Sequence, residues 1–373
     1  MSLWRCHAPL AILCALVGCA TDVPGRGQPV CTPGLTAACS CADGTEGVHS
    51  CTLGGDAYGG CQCAAPPEEL AGVAGQPATD PPPPGGDEVV VDDGGPGPVE
   101  PPAGPRGMQP DNPLPPGKHT LQIEVGGRTR VFDLVVPDNY DNSGPVPLVV
   151  NFHGFTLERV AYEGITLYGR KGAAEGFAVA TPDGVDRSWN GGSACCGNAS
   201  AGLIDDVGFA RAMVEEIGRG LWYDPGKVYA VGFSNGSFLA HRLGCEASDV
   251  FTAVATAAGG LSLPDVLPGC APGRGVPVVT YFGTRDTTYA TLGDTTHRRW
   301  LEVNACTDSG HESYRNGGAV CTTYSACRDG AELTRCIIDG MDHCWPAGPC
   351  QFPQSPDLHA TDHSWQFLSG FTM

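Results

Sequence analysis

Positive charge and long hydrophobic runs are both scarce in this sequence. It has 21 lysines and arginines against 41 aspartates and glutamates, which gives a formal net charge of −20 over 373 residues. Because phosphates would be repelled by such a chain, the charge argues against nucleic acid as a partner. Beyond the N-terminal segment, no apolar run is long enough to cross a bilayer. The only membrane contact that the sequence predicts is therefore at its N-terminus.

The first 19 residues have the pattern of an export signal. Arg5 precedes the apolar run "PLAILCALVGCA", which is too short for a spanning helix and predicts a signal peptide over residues 1–19. Within it, "LVGC" resembles a bacterial lipobox, which makes Cys19 the predicted site of lipidation. An ordinary secretory signal is the alternative. We expect an exported protein, extracellular or held on the outer surface by that lipid.

Cysteine is abundant, and its 19 copies indicate an oxidising compartment. Six of them fall in residues 31–63, a glycine-rich stretch with too little apolar material for a core. Three disulfides are therefore expected to hold this module together. Zinc is the alternative, but only His49 lies among the cysteines, and we predict no metal site. The module is either a disulfide-stabilised spacer, which we favour, or a polymer- or wall-binding unit.

Two further regions follow this cysteine-rich module. Residues 64–117 have 16 prolines and ten glycines, and they predict an extended, disordered linker. From residue 118 to residue 373 the pattern becomes globular, and about 250 residues are enough for one α/β domain. The predicted organisation is thus a signal peptide, a small disulfide-bonded module, a linker and a single large domain.

Within residues 118–373, strand patterns alternate with helix patterns. A hairpin around the two glycines of "HTLQIEVGGRTRVFDLVVP" comes first, and the near-continuous apolar strand "VPLVVNF" follows. Further strands are predicted in "FAVATP", "KVYAVGF", "FTAVATA", "GVPVVTYFG" and "ELTRCIID", with the amphipathic helix "DDVGFARAMVEEI" among them. This alternation predicts a mostly parallel sheet with helices on both faces.

The end of one predicted strand carries the clearest chemical signal. Val228 to Phe233 read as a buried strand, the chain turns at "GFSNG", and an apolar pattern at helical spacing follows. A Gly-x-Ser-x-Gly bend between a strand and a helix is the nucleophile elbow of the α/β-hydrolases. The glycines let neighbouring backbone approach, and the helix N-terminus favours developing negative charge. We therefore predict Ser234 as a nucleophile.

An acid and a base should follow that serine, in the order Ser, Asp, His. Asp286 lies in the loop after "VPVVTYFG", with Asp294 as the alternative acid, and His343 lies in the loop after "RCIID". Because the carboxyl ends of parallel strands meet at one edge, these side chains should converge on Ser234. Four other histidines are less well placed, because none directly follows a predicted strand: His297, His311, His359 and His363.

Donors for an oxyanion are expected beside the serine. The stretch "NFHGF", after the strand ending at Val150, looks like the His-Gly oxyanion loop of this fold. We assign the backbone N–H of Asn235 and that of Phe155 or Thr156 as donors. His153 is expected to shape this loop rather than to titrate in catalysis. The chemistry predicted here needs no metal and no organic cofactor.

Six ordered motifs between about residues 120 and 370 resemble one family. "LVVNFHGF", "TPDGVDRSWNGGSACCG", "DDVGFARAMVEEI", "VYAVGFSNGS", "FGTRD" and "DHCWPAG" are similar to stretches of esterases related to polyhydroxybutyrate depolymerases and to feruloyl and acetylxylan esterases. The resemblance implies a serine esterase. It also makes Trp189, Asn190 and Trp345 candidates for the substrate cleft, with core packing of Trp189 and bracing of the His343 loop by Trp345 as alternatives.

The resemblance also implies that Cys245 and Cys270 form a disulfide. The partner of Cys344, which adjoins the predicted base, stays open among Cys195, Cys196 and Cys350, because spacing does not fix connectivity. Asp205 and Asp206, at the start of the "DDVGF" helix, are expected to have structural roles.

The function predicted is an exported serine carboxylic-ester hydrolase that works through an acyl-enzyme. Its expected partner is an ester-bearing polymer or oligomer, either a feruloyl or acetyl ester of plant polysaccharide or a hydroxyalkanoate polyester. The tether and the lack of a lid-sized apolar insertion favour such a polymer over long-chain lipid. The alternatives are a serine peptidase of the same fold and a non-catalytic surface-binding lipoprotein. The sequence does not indicate an oligomeric state.

Overall fold

The computed structural model describes residues 36–40, 46–50, 107–192, 195–261 and 270–373. The chain divides into two units, Met1–Asp92 and Asp93–Met373. In the first unit, β1 (Thr36–Ser40) and β2 (Glu46–Ser50) form an antiparallel hairpin. The predicted signal peptide with Cys19, the disulfides of the 31–63 module and the linker up to residue 106 lie outside the described residues.

Ten strands of the second unit, within its described part, form one sheet. In chain order they are β3 (Gly117–Val125), β4 (Arg128–Val136), β5 (Val146–Phe152), β6 (Ala178–Pro182), β7 (Tyr223–Phe233), β8 (Ala253–Ala257), β9 (Val278–Gly283), β10 (His311–Asn316), β11 (Ala319–Tyr324) and β12 (Leu333–Ile338). Their spatial order is β10-β11-β12-β9-β8-β7-β5-β6-β4-β3. The strands from β12 to β6 in that order pair in parallel, and both edges are antiparallel. The mostly parallel sheet is thus confirmed.

The helices cover both faces of this sheet, as predicted. They are α1 (Arg159–Thr166), α2 (Tyr168–Glu175), α3 (Asn198–Ala201), α4 (Asp206–Ile217), α5 (Asn235–Glu246), α6 (Asp294–Val303) and α7 (Ala360–Leu368). Buried side chains of α4, α5 and α6 pack with Leu148 and Val150 of β5, whereas those of α1, α2 and α7 pack with Val149. Because successive strand residues point to opposite faces, one strand supplies both cores. In the described part of the chain, none of the helices could cross a membrane.

Helix α4 begins with the two aspartates expected to be structural. Asp205 caps the helix, because its side chain accepts the N–H of Gly208 at 2.7 Å. Asp206 is fully buried and forms an ion pair with Arg130 at 2.8 Å. Both carboxylates therefore have structural roles, Asp205 as a helix cap and Asp206 as the partner of Arg130.

The predicted linker ends too late, because residues 107–116 already pack on the domain. The Leu114 N–H donates to the Gly220 carbonyl at 2.8 Å, and the Trp222 indole N–H donates to the Gly107 carbonyl at 3.0 Å. Leu114 also packs against the core, and β3 begins at Gly117. A proline-rich composition does not prevent a chain from lying in a groove when a few side chains and amides find partners there. The prediction of a linker over 64–117 is therefore wrong for residues 107–117.

Five disulfides lie in the described part of the second unit. The Cys245–Cys270 pair is present, as the resemblance implies, and Cys344 pairs with Cys350, one of its three candidate partners. The other pairs are Cys195–Cys196, Cys306–Cys327 and Cys321–Cys336.

The strands β10 and β11 form a hairpin that extends the sheet beyond β12. The side chains of β10, the outermost strand, are exposed except for Tyr314. Its Glu312 and Arg315 form an ion pair on the surface. This edge of the sheet is therefore charged.

Candidate active site

Ser234 stands at the bend between β7 and α5 with backbone angles φ 52° and ψ −118°. This strained conformation is unusual for a residue with a side chain, and strong constraints hold it. A Cβ at Gly232 would lie 2.2 Å from the Gly236 carbonyl oxygen, and one at Gly236 would lie 2.1 Å from the Phe152 carbonyl oxygen. Glycine is therefore required on both sides of the serine for the bend to pack against β5.

The His343 imidazole lies between the serine and a carboxylate. Its Nε2 atom is 2.8 Å from Ser234 Oγ, and its Nδ1 atom is 3.0 Å from Asp286 Oδ2. Asp286 is 1% exposed, and its other oxygen accepts the N–H of Thr288 at 2.8 Å. The three predicted side chains thus meet in the hydrogen-bonded order that nucleophilic catalysis requires.

The parallel pairing of β9 and β12 brings the acid and the base together. The loops after these strands are joined by a hydrogen bond from the Arg285 N–H to the Met341 carbonyl at 3.0 Å. A Cβ at Gly283 would lie 2.1 Å from the same carbonyl oxygen, so glycine permits this close approach. His343, the predicted base, is therefore positioned by backbone contacts in its loop as well as by Asp286.

The alternative acid and the other histidines lie elsewhere. Asp294 is exposed and pairs with Arg335. Among the histidines, His363 is 2.8 Å from the Tyr281 hydroxyl, and His297 packs against Tyr324. His311 lies on the edge strand β10, and His359 precedes α7.

A buried histidine fixes the loop after β5. His153 is fully buried, its Nε2 accepts the Gly184 N–H at 3.0 Å, and its Nδ1 lies 2.8 Å from the Gly154 carbonyl oxygen. Burial lowers the pKa of His153, so the ring is held neutral with its proton on Nδ1. This geometry fits the expectation that His153 shapes the loop.

Of the two alternative donors in that loop, only one is available. The Thr156 N–H already donates to the Arg187 carbonyl at 2.9 Å, so Thr156 does not serve as an oxyanion donor. Phe155 lines the cavity at the serine, and a Cβ at Gly154 would lie 3.3 Å from Ser234 Cβ. Asn235 is the first residue of α5. The amides of Phe155 and Asn235 are thus the candidate pair.

Trp189 and Asn190 are not in the cleft, which corrects their prediction as substrate contacts. Trp189 is fully buried, and its indole N–H donates to the His153 carbonyl at 2.9 Å. Its backbone N–H donates to the Asn235 side chain at 2.7 Å. Asn190 donates to the Ile204 carbonyl at 2.9 Å, and its own N–H donates to Asp206. Trp189 therefore holds the loop after β5, whereas Asn190 holds the chain at the start of α4.

A cavity of about 530 Å³ opens at Ser234 and His343. Its walls are mainly apolar and include Phe155, Leu157, Ile165, Phe233, Trp345 and Phe352. Trp345 is 1% exposed, and its indole N–H donates to Thr361 Oγ1 at 3.0 Å. It therefore lines the cavity and braces the His343 loop at once.

Several residues of this site were not identified from the sequence. The Phe233 ring lies 5.2 Å from the His343 ring, and Leu157 and Phe352 complete the apolar wall. They lie in loops or at a strand end, where no periodic pattern marks them. Thr288 was recognisable in principle, because a residue two positions after an aspartate often donates its N–H to that side chain.

One cluster has the composition of a metal site. Cys321, Cys336 and His363 lie within 4.8 Å of one another. Because the two cysteines are joined in a disulfide, they present no thiolate ligand.

No protein-family model matches the sequence. Feruloyl esterase D of Neurospora crassa is 25% identical over 261 residues, which cover 65% of this chain and 83% of that protein. Feruloyl esterase C of Emericella nidulans is 29% identical over 210 residues, which cover 53% of this chain and 71% of that protein. The chain has the α/β-hydrolase fold and is similar in sequence to feruloyl esterases.

Two further proteins are similar to this chain, one in sequence and one in fold. Feruloyl esterase B of Piromyces equi is 28% identical over 228 residues, and the match covers 56% of this chain but only 41% of that protein. The chain thus spans less than half the length of that relative. An acetyl xylan esterase from Aspergillus awamori has the same fold, with a TM-score of 0.50, 16% identity and coverage of 67% of this chain and 99% of that one.

Proposed function

We propose that the protein is a serine carboxylic-ester hydrolase with Ser234 as nucleophile, His343 as base and Asp286 as the orienting acid. One observation carries this proposal. The two ring nitrogens of His343 lie 2.8 Å from Ser234 Oγ and 3.0 Å from Asp286 Oδ2. A serine becomes nucleophilic only when such a base can take its proton.

Each step of the reaction has a residue to perform it. His343 removes the proton from Ser234 as the hydroxyl oxygen attacks the ester carbonyl, and Asp286 stabilises the imidazolium that forms. The amides of Phe155 and Asn235 donate to the oxyanion. His343 then returns the proton to the leaving alcohol. Water attacks the acyl-enzyme with the same histidine as base, and the acid is released.

The cavity favours an ester with an apolar acyl group. Its wall holds the rings of Phe155, Phe233 and Phe352, and a flat aromatic acid can stack on or between such rings. The relatives named above are feruloyl esterases. We therefore place ferulate esters of plant polysaccharide first, with acetyl esters and hydroxyalkanoate polyesters as the other candidates.

The proposed place of action is outside the cell. The signal-like residues 1–19, with Cys19 as the proposed lipid anchor, support export. Five disulfides in the catalytic unit fit an oxidising compartment.

The decisive experiment compares hydrolysis of methyl ferulate, p-nitrophenyl acetate and a hydroxybutyrate oligomer by the purified full chain. We expect the highest kcat/KM for methyl ferulate. Ser234→Ala should lower kcat roughly 10⁴–10⁶-fold, because the nucleophile is lost. Ser369→Ala, an exposed serine at the end of α7, is the matched control and should behave as the unchanged protein. Retention of most activity by Ser234→Ala would reject the proposed nucleophile.

Two other functions are outcomes of the same test. A peptide-amide substrate that is cleaved faster than every ester would indicate a serine peptidase. Failure of an organophosphate to label Ser234, together with no hydrolysis of any ester, would indicate a binding protein.

A further inference from the structure

A chain of hydrogen bonds runs from the loop that holds His343 to the end of β5. It begins at Trp345, in the same loop as His343, whose indole N–H donates to Thr361 Oγ1 at 3.0 Å. The Thr361 hydroxyl donates in turn to the Thr166 carbonyl oxygen at 2.6 Å. Because a hydroxyl group can donate and accept at once, Thr361 joins both contacts through one oxygen.

The second half of this chain runs from α1 to β5. Thr166 is the last residue of α1, where the final carbonyls have no partner within the helix, and the Thr361 hydroxyl supplies one. The Thr166 hydroxyl oxygen accepts from Asn151 Nδ2 at 2.9 Å, and both of these residues are buried. Asn151 lies near the end of β5, directly before the loop that holds Phe155. The chain therefore connects the loop of the proposed base with the loop of a proposed oxyanion donor.

Thr361 itself does not line the catalytic cavity. It is a half-buried residue in the first turn of α7, whereas Trp345 is 1% exposed and forms part of the cavity wall. Without the Thr361 hydroxyl, the buried indole N–H would lose its acceptor, which is costly enough to favour another position of the ring. The Ala360 N–H also donates to the Pro346 carbonyl at 3.3 Å, so the loop would stay attached to α7. Loss of the hydroxyl should therefore shift the ring without releasing the loop.

We propose that Thr361 is a positioning residue for the reaction at Ser234. Its hydroxyl holds the Trp345 ring, and through that ring the loop of His343, in place relative to α1 and the end of β5. Misplacement of a catalytic group by about 1 Å can cost about 100-fold in rate, so a contact outside the cavity can affect the reaction. The proposal rests on the proposed function, because it concerns how the base of that reaction is held.

The test measures the rate at which a fluorophosphonate labels Ser234 in the full chain, because labelling needs the activated serine but no particular ester. Thr361→Val keeps the branched side chain and removes both hydrogen bonds, so labelling should slow about tenfold. The kcat for p-nitrophenyl acetate should fall equally, with KM within twofold, because the base acts in the chemical step. Thr361→Ser keeps the hydroxyl and should restore both rates to within twofold, which a role in packing alone would not predict.

Thr252→Val is the matched control. Thr252 is also buried, and its hydroxyl donates to the Gly226 carbonyl at 2.7 Å, but it does not line the cavity. This variant should unfold at lower urea concentration and label within twofold of the unchanged protein. Trp345→Phe removes the same hydrogen bond from its other side, should slow labelling to a similar degree, and decides the matter if Thr361→Val does not fold. In the double variant the two effects should not multiply, because both remove one contact.

The outcomes separate this proposal from the esterase function. Labelling of Thr361→Val at the unchanged rate, or equal slowing by Thr361→Ser or Thr252→Val, would overturn the role of Thr361 and leave the esterase function standing. Normal labelling of Ser234 in a protein that hydrolyses no ester would reject the esterase function, and the labelling rates of the variants would still decide the role of Thr361. Absence of labelling in the unchanged protein would reject both.

Discussion

The side chain of Asn235 binds the backbone of Trp189 at both of its polar groups. Asn235 Oδ1 accepts the Trp189 N–H at 2.7 Å, and Nδ2 donates to the Trp189 carbonyl at 3.1 Å. The same Nδ2 lies 3.3 Å from the Cys195 carbonyl oxygen. Asn235 therefore ties the segment with the Cys195–Cys196 disulfide to the first turn of α5, where its own amide is one of the two proposed oxyanion donors.

Replacing Asn235 by alanine should impair catalysis through the position of that amide. We expect kcat on p-nitrophenyl acetate to fall about 10- to 100-fold, since misplaced or lost oxyanion donors cost this much or more. The free energy of unfolding should fall by about 1–3 kcal/mol, because buried Trp189 groups lose their partners. Asn198→Ala, a surface asparagine bonded to Asp186, is the control. An unchanged kcat in Asn235→Ala would contradict this role.

The orienting acid can be tested against its rival in the sequence. Asp286→Asn should lower kcat roughly 10³–10⁴-fold, because an amide cannot hold the imidazole in the tautomer that accepts the serine proton. Asp294→Asn removes only a surface ion pair with Arg335 and should leave kcat within twofold. Steady-state kinetics on one ester would decide, and the reverse ranking of the two variants would transfer the acid's role to Asp294.

The Cys344–Cys350 disulfide, which follows His343, should have a larger effect on kcat than on the free energy of unfolding. Closing a loop of 6 residues stabilises by about 2 kcal/mol, and a loop of 21 residues by about 3 kcal/mol. The double variant Cys344→Ser/Cys350→Ser should nonetheless lose about 10- to 100-fold in kcat, because the bridge begins at the residue after His343, the proposed base.

The control is Cys306→Ser/Cys327→Ser, whose disulfide lies outside the residues that line the cavity. It should lose more unfolding free energy, measured in urea, and almost no kcat. Equal kcat losses in the two double variants would show that the Cys344–Cys350 bridge has no special effect on the base.

Acid should destabilise the fold through His241. This histidine is fully buried, and burial lowers its pKa to about 3. Its Nδ1 accepts the Trp300 indole N–H at 3.0 Å, so a second ring proton would face a donor. An exposed histidine has a pKa of about 6.5, so below that pH the unfolded chain binds the proton and the folded chain does not. Stability is therefore lost as the pH falls from about 6.5 towards 3.

Between pH 7 and pH 4 this residue should account for a loss on the order of 3 kcal/mol. His241→Asn keeps an acceptor for Trp300 and removes the titration. Its unfolding free energy should be lower at pH 7 but should fall less steeply towards pH 4. Parallel pH profiles for the two proteins would refute the assignment.

The sequence contains enough to predict that the three residues of the proposed triad lie together. Ser234, Asp286 and His343 each follow a strongly apolar strand, and parallel pairing brings the ends of such strands to one edge. The role of the two elbow glycines is also predictable from the motif. In the structure, backbone oxygens lie within 2.2 Å of where their Cβ atoms would be, so only glycine fits.

Other features depend on contacts that no local pattern encodes. Thr156 was a candidate oxyanion donor, but its N–H donates to the carbonyl of Arg187, which is distant in sequence. A tryptophan near a catalytic motif suits a cleft or a core equally well, and the partners of Trp189 decide for the core. Most side chains of β10 are exposed, so its sequence has no alternation of apolar and polar residues that would predict a strand. Its strand conformation comes from antiparallel pairing with β11.

That outer strand has a consequence for how the molecule behaves at high concentration. An uncovered strand offers free amides and carbonyls to a strand of another molecule, which is a common route to aggregation. Here the exposed ion pair of Glu312 and Arg315 places charge on that strand. Replacing both residues with valine would remove this charge from the edge strand. It would favour edge-to-edge pairing of the sheets of different molecules, and hence aggregation.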